Sequence, residues 1–154
     1  MRGSPGISRA TRTLIDGAPP MPEPIPSTGT QGRVLLMDDE ESILEVMSQM
    51  LRRRGFDVSC ARDGAEAVAA YRDALTKGAR FDVVVMDLTI PGGVGGREAI
   101  HQLLALDPGA RALVSSGHSN DPVMVRPMEH GFVGGVPKPY SIAELVAALH
   151  RALD

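Results

Sequence analysis

Four short apolar runs in this sequence each end in residues able to do chemistry. Val34-Leu35-Leu36-Met37 ends in Asp38-Asp39-Glu40, and the run from Phe81 to Met86 ends in Asp87. The run from Ala110 leads into Ser115-Ser116-Gly117, and that from Phe132 to Val136 leads into Pro137-Lys138-Pro139. Crowded carboxylates repel, so some of them stay ionised only with a cation among them. A hard divalent ion, Mg2+ or Mn2+, suits such oxygen ligands and keeps waters that phosphoryl oxygens can replace. An aspartate is also a nucleophile toward phosphorus and forms an acyl phosphate. Phosphoryl transfer needs positioning and positive charge more than acid-base machinery. A lysine supplies such charge, and a serine hydroxyl donates to a further oxygen. Taken singly, each piece has a plain reading: an acid pair caps the next helix, a lysine before proline lies on the surface, Ser-Ser-Gly turns the chain. Their conjunction at four run ends, in this order, carries the chemical reading.

The intervening segments must place those ends together. Ile43, Val46, Met47, Met50 and Leu51 have helical spacing, and Gly55 stands where a helix would stop. Phe56–Ala61 alternates as a strand. Asp63 and Glu66 have the positions of an N-cap and its N3 partner, starting a helix that runs to about Leu75. After the glycine-rich Pro91–Gly96, a helix is predicted over Arg97–Leu106. Asp121-Pro122 opens a fourth helix. Pro127 removes a hydrogen bond inside it, which predicts a short, kinked or irregular element. Ser141 and Glu144 form a capping box for the last helix, whose apolar stripe is Ile142, Leu145, Val146, Leu149 and Leu153.

Five alternating strand-helix units predict an α/β fold: a doubly wound, five-stranded parallel sheet with helices on both faces. In such sheets the active crevice lies beyond the carboxyl ends of the strands. Asp38, Asp39, Asp87, Ser116 and Lys138 all fall there.

These residues resemble the motifs of response-regulator receiver domains of two-component systems. The match rests on Asp38-Asp39-Glu40, Met86–Gly92, Ser115-Ser116-Gly117 and Val136–Tyr140, and it covers about Arg33 to Asp154. The finer pattern of Pro91–Gly96, Ser115–Pro122 and Gly131-Phe132 is similar to the C-terminal receivers of hybrid histidine kinases. The resemblance implies a (βα)5 flavodoxin-like receiver fold that takes a phosphoryl group from a phosphohistidine and loses it by transfer or hydrolysis. It implies Asp87 as phosphoacceptor, with Mg2+ held by Asp39, Asp87 and the backbone carbonyl of Thr89, and by Asp38 through water. Ser116 takes the switch hydroxyl position, Lys138 pairs with the phosphate, and Lys138-Pro139 is cis. Thr89 and His118 fall at positions that in the family tune water access to the acyl phosphate; His118 either orients that water or sits on the surface. The implied partner is a histidine kinase or a histidine phosphotransfer protein, and the implied state is a monomer or weak dimer.

Two departures stand out. The family often carries an aromatic switch residue three positions before the lysine, and here that position is Gly135. Pro127 interrupts the neighbouring helix. Together they predict a domain that passes phosphate onward with little change of shape. Two alternatives are weighed. An aspartyl phosphatase of the haloacid dehalogenase type needs a second acid two residues after the nucleophile, where this chain has Thr89. An interaction-only pseudo-receiver usually lacks an acid or the lysine, and all are present. No enzyme activity beyond self-catalysed phosphorylation and dephosphorylation is expected.

The remaining sequence bounds the partners. A net charge of -3 across 154 residues offers no electrostatic case for nucleic acid or an anionic membrane. No apolar stretch reaches membrane-spanning length, and the expected location is the cytoplasm. Residues 1–31 crowd Pro19, Pro20, Pro22, Pro24 and Pro26 and read as a flexible linker or tag, leaving residues 32–154 as the receiver. Cys60 excludes an intrachain disulfide because it is the only cysteine. Its alternating context predicts a small buried residue. His101, His130 and His150 have no motif around them and are expected at the surface or at helix ends.

Overall fold

The aliphatic runs that precede the acids become the central strands of one sheet. A computed structural model describes residues 30–154, so all but the last two residues of the expected linker lie outside the described residues. Five parallel strands, β1 (Gly32–Met37), β2 (Phe56–Ala61), β3 (Val83–Asp87), β4 (Ala112–Ser116) and β5 (Gly134–Pro137), pair in the order β2-β1-β3-β4-β5. The helices are α1 (Glu41–Arg53), α2 (Gly64–Thr76), α3 (Gly96–Leu106), α4 (Pro122–Val125) and α5 (Ile142–Leu153). This is the doubly wound (βα)5 arrangement that the alternation predicts.

Strand residues alternate between two cores. Leu35, Met37, Val84, Met86 and Val114 pack with Ala67, Tyr71, Ile100 and Leu103 of α2 and α3. Val34, Leu36, Val83, Val85 and Leu113 pack with Leu44, Leu51, Leu145 and Leu149 of α1 and α5. Burial on both faces explains why β1 and β3 read as unbroken apolar runs. β1 lies between β2 and β3, so Met37 pairs with Met86. That register sets Asp38 and Asp87 side by side, each at or just past its strand end. Asp87 in turn pairs with Ser115, and Ser116 with Pro137.

Helix starts follow the expected chemistry. Asp63 Oδ1 accepts from Glu66 N at 2.9 Å, and Ser141 and Glu144 close a reciprocal capping box. Gly55 has φ +94° just past α1, and a side chain is strained in that conformation. The fourth helix is a single short piece capped by Asp121, followed by a 3-10 turn over Pro127–His130. Pro127 therefore does what its missing N–H predicts. Cys60 corrects its expectation: it is exposed. β2 is an edge strand, and Cys60, unlike Phe56 and Val58 on the same face, lines an open surface depression at the strand's end. It lies beside Glu41, Glu45 and Arg62.

Candidate functional site

Strand ends and the turns after them build the site. Asp38 leaves β1 and turns back: its Oδ1 accepts from Glu40 N at 2.9 Å, at the start of α1. Only 1% of Asp38 is exposed, whereas the adjacent Asp39 is solvent-exposed. Asp87 closes β3 with 7% exposure, and Thr89 N donates to its Oδ1 at 3.4 Å. One oxygen from each of Asp38, Asp39 and Asp87 lies within 4.8 Å of the others.

Lys138 reaches this cluster from the end of β5. Its Nζ donates to Asp87 Oδ2 at 3.1 Å. It lies 2.8 Å from Asp38 Oδ2 and 3.7 Å from Glu40 Oε1. The Lys138-Pro139 bond is cis, as the resemblance implies. Burial opposes the lysine's charge, but close contacts with Asp38 and Asp87 outweigh it and hold its pKa well above the usual lysine range. Asp87 is shifted upward. Burial is the main cause; Lys138 opposes the shift and Asp38 adds to it. The Asp87 carboxylate is thus undercompensated even with the lysine beside it.

The residues fit a divalent cation. The donor set is all oxygen, as a hard ion requires. Asp38 Oδ2 is buried and touches Lys138 as a charge, without a well-aligned hydrogen-bond donor. Buried polar atoms ordinarily find a partner, and a cation between Asp38, Asp39 and Asp87 provides one. It would also offset the burial that raises Asp87 and the Asp38 charge that adds to the shift.

Ser116 is buried at the end of β4, and its Oγ accepts from His118 N at 3.0 Å. The hydroxyl proton is thereby left free to donate. Thr89 and His118 both lie at the surface. Of His118, it is the backbone that touches the site, a contact that side-chain reasoning does not find. His101, His130 and His150 are exposed, as expected.

A chain with this strand order, this acid cluster and this lysine has close structural company. The family model for the response regulator receiver domain matches residues 34–150. The chain belongs to that family. It is 34% identical over 114 residues to the response regulator receiver protein Anae109_2439 of Anaeromyxobacter sp. (strain Fw109-5), covering 74% of this chain and 45% of the relative. A solved two-component response regulator of the LuxR family from Aurantimonas sp. SI85-9A1 superposes with TM-score 0.70 at 35% identity, covering 80% of this chain and 86% of that one. The receiver domain of the hybrid histidine kinase CckA superposes with TM-score 0.65 at 25% identity, covering 80% of this chain and all of that one. The receiver spans about half the length of the first curated relatives that it matches. Among the described residues, no helix is long and apolar enough to cross a membrane.

Sequence reasoning gave no role to Glu40, Tyr140 or Arg97. Tyr140 lines a groove of about 600 Å³ beside Lys138, together with Ile43 and Met47 of α1. Its hydroxyl is buried without a hydrogen-bond partner. Burial, reinforced by the negative charge of Asp38, pushes its pKa up to about 12. Nothing in its spacing signals this, because the position depends on the turn after Pro139.

Proposed function

We propose that Asp87 is the phosphoacceptor of a phosphorelay, taking its phosphoryl group from a phosphohistidine on a histidine kinase or a histidine phosphotransfer protein. The observation that carries this reading is the position of Asp87, buried within reach of Asp38, Asp39 and Lys138. In the transfer, the bond between phosphorus and the donor's imidazole nitrogen breaks, and a bond to an Asp87 carboxylate oxygen forms. The nitrogen keeps the electron pair and leaves as neutral imidazole with one proton from solvent. Water or a second histidine later takes the phosphoryl group and restores the carboxylate.

Lys138 already holds Asp87 and Asp38, and it keeps positive charge beside the incoming phosphoryl oxygens. The Ser116 hydroxyl donates to one of them. Mg2+ (or Mn2+), held by Asp38, Asp39, Asp87 and the Thr89 carbonyl, would supply the positive charge that such a transfer needs. Residues 32–154 form the acting unit, residues 1–31 serve as a linker or tag, and no separate substrate is turned over. The setting is cytoplasmic, with a protein partner rather than nucleic acid or membrane, and the chain works as a monomer or weak dimer.

Incubation with acetyl phosphate and Mg2+, followed by intact-protein mass, tests the reading. One transient phosphoryl adduct is expected, absent in Asp87→Asn and without EDTA-resistant formation. Turnover of unrelated phosphomonoesters would favour a phosphatase instead. No adduct with any donor would leave an interaction module.

We also assign this receiver to onward transfer with little change of shape. A Cβ at Gly135 would sit 3.5 Å from Met124 Cε and Pro127 Cγ, so α4 and the turn after it already fill the space beside β5. Beryllofluoride with Mg2+ should shift backbone amide signals near the strand ends and leave those of Met124–Val133 nearly unmoved. A large rearrangement or tight dimerisation at that face would defeat the idea.

A further inference from the structure

We infer that Arg97 is a positioning residue for the Ser116 hydroxyl, acting through Asp121. The inference rests on the reading of Ser116 as the donor to the phosphoryl group. Arg97 lies in the first turn of α3, just after the glycine-rich loop. Its backbone N–H donates to the carbonyl of Leu88, the residue after Asp87, at 3.3 Å. Its Nη2 donates to Asp121 Oδ2 at 2.8 Å. Asp121 is otherwise committed: its Oδ1 accepts from Val123 N at 2.9 Å, and its own N–H donates to the His118 carbonyl at 3.0 Å. His118 N then donates to Ser116 Oγ. Leu88 N donates to the Ser115 carbonyl at 2.8 Å. The contacts form a closed ring that runs from the phosphoacceptor strand through Arg97, Asp121 and His118 to the serine, and back across the sheet.

Arg97 is the ring's only side-chain link between the segment after β3 and the segment after β4. With the arginine in place, the turn from His118 to Asp121 is tied at both ends, and its N–H fixes which lone pair of Ser116 is used. The proton of Ser116 is then directed by elimination. Without the arginine, the turn is anchored only through its own capping contacts, and the hydroxyl samples other directions. Arg97 is half exposed and Asp121 is 20% exposed, so the effect is modest. An ion pair of this kind is worth at most about fivefold in an equilibrium.

The test measures the rate of adduct formation with acetyl phosphate and Mg2+, by intact mass, in a double-mutant cycle. Ser116→Ala should slow the reaction by roughly tenfold or more, the loss of a hydrogen bond to a charged group. Arg97→Ala should slow it by roughly two- to fivefold in the otherwise native chain, and by nothing further in the Ser116→Ala chain. Asp121→Asn keeps a good helix cap but loses the charge, and should reproduce Arg97→Ala. Arg97→Lys should restore most of the rate, because the contact uses a single nitrogen. Thermal midpoints should stay level across the series, which separates positioning from loss of structure. Equal slowing by Arg97→Ala with and without Ser116, or no slowing in the native chain, would overturn the inference and leave the phosphoacceptor reading intact. If Ser116→Ala reacts at the native rate, the role of that hydroxyl fails, and the inference with it.

Discussion

Lys138 carries an unusual share of the site, since one ammonium faces Asp38, Asp87 and, more distantly, Glu40. Removing one partner of a buried pair typically costs about 3–5 kcal/mol, because the other charge is left uncompensated. The lysine is 16% exposed, so water takes part of that burden. Lys138→Ala should therefore lower metal-free stability by roughly 2 kcal/mol. Mg2+ should then raise the urea midpoint more in the variant than in the native chain, because a cation replaces the missing charge. Equal Mg2+ shifts in the two chains would show that the lysine does not share the acids with the metal. The types and places of Asp38, Asp39, Asp87, Ser116 and Lys138 were legible from the sequence, because each follows an apolar run and parallel sheets gather such ends. What was not legible is how each side chain is held. The bond from His118 N to Ser116 and the unpartnered Tyr140 hydroxyl depend on turn geometry, which residue type does not specify. Cys60 misled for a related reason. Alternation tells which residues share a face, but not whether a helix covers the end of an edge strand.

At the level of elements, the glycine-rich loop after β3 brings α3 against the backbone that carries Asp87. A Cβ at Gly95 would fall inside van der Waals contact with the Leu88 carbonyl, and one at Gly96 would meet the Asp87 carbonyl oxygen at 3.0 Å. Both glycines are buried. Neither has left-handed backbone, so the requirement here is close approach and not φ. Gly95→Ala should cost about 1–3 kcal/mol, the usual range for overpacking. It should also slow phosphorylation, because relief requires Leu88 and Thr89 to move. Gly109, where the backbone is not left-handed and a Cβ would meet nothing nearer than 3.5 Å, is the matched control for crowding. Urea unfolding, paired with the acetyl phosphate reaction, checks both effects; native stability in Gly95→Ala would mean that the loop yields without strain. The sequence showed that this loop was glycine-rich. It did not show which glycines are needed, since that depends on how closely α3 packs against the backbone of Asp87 and Leu88. Pro127 is the contrasting case: a missing N–H acts locally, so the broken fourth helix was visible without any tertiary information.

Across the whole molecule, the end opposite Asp87 is fastened by a different polar cluster. Tyr71 of α2 is buried and donates to Asp107 Oδ2, just past α3, at 2.6 Å. Gly109 N and Arg80 also bond the same carboxylate. These contacts favour the ionised form, the Tyr71 hydrogen bond most, and hold the Asp107 pKa below its ordinary value. The Tyr71 phenol is pushed well above its own range, first by burial and then by the bond to Asp107. The sign of the pH dependence follows. A carboxylate depressed in the folded state binds fewer protons there than in the unfolded chain. Its contribution is complete above the unfolded value, about pH 4, and is lost as pH falls through the folded value. The neutral phenol contributes until strongly alkaline pH. Tyr71→Phe keeps the ring and removes the donor, so it should cost about 1.5–3 kcal/mol near neutrality, as for a hydrogen bond to a charged group. As pH falls below about 4 and through the folded Asp107 value, the gap between Tyr71→Phe and the native chain should narrow, because the acceptor is neutralised first in the variant and then in both. Unfolding free energies from urea titrations between pH 7 and the acid limit of folding measure this gap directly. A gap constant with pH would mean that the phenol serves packing alone and that the Asp107 charge is held by Gly109 and Arg80.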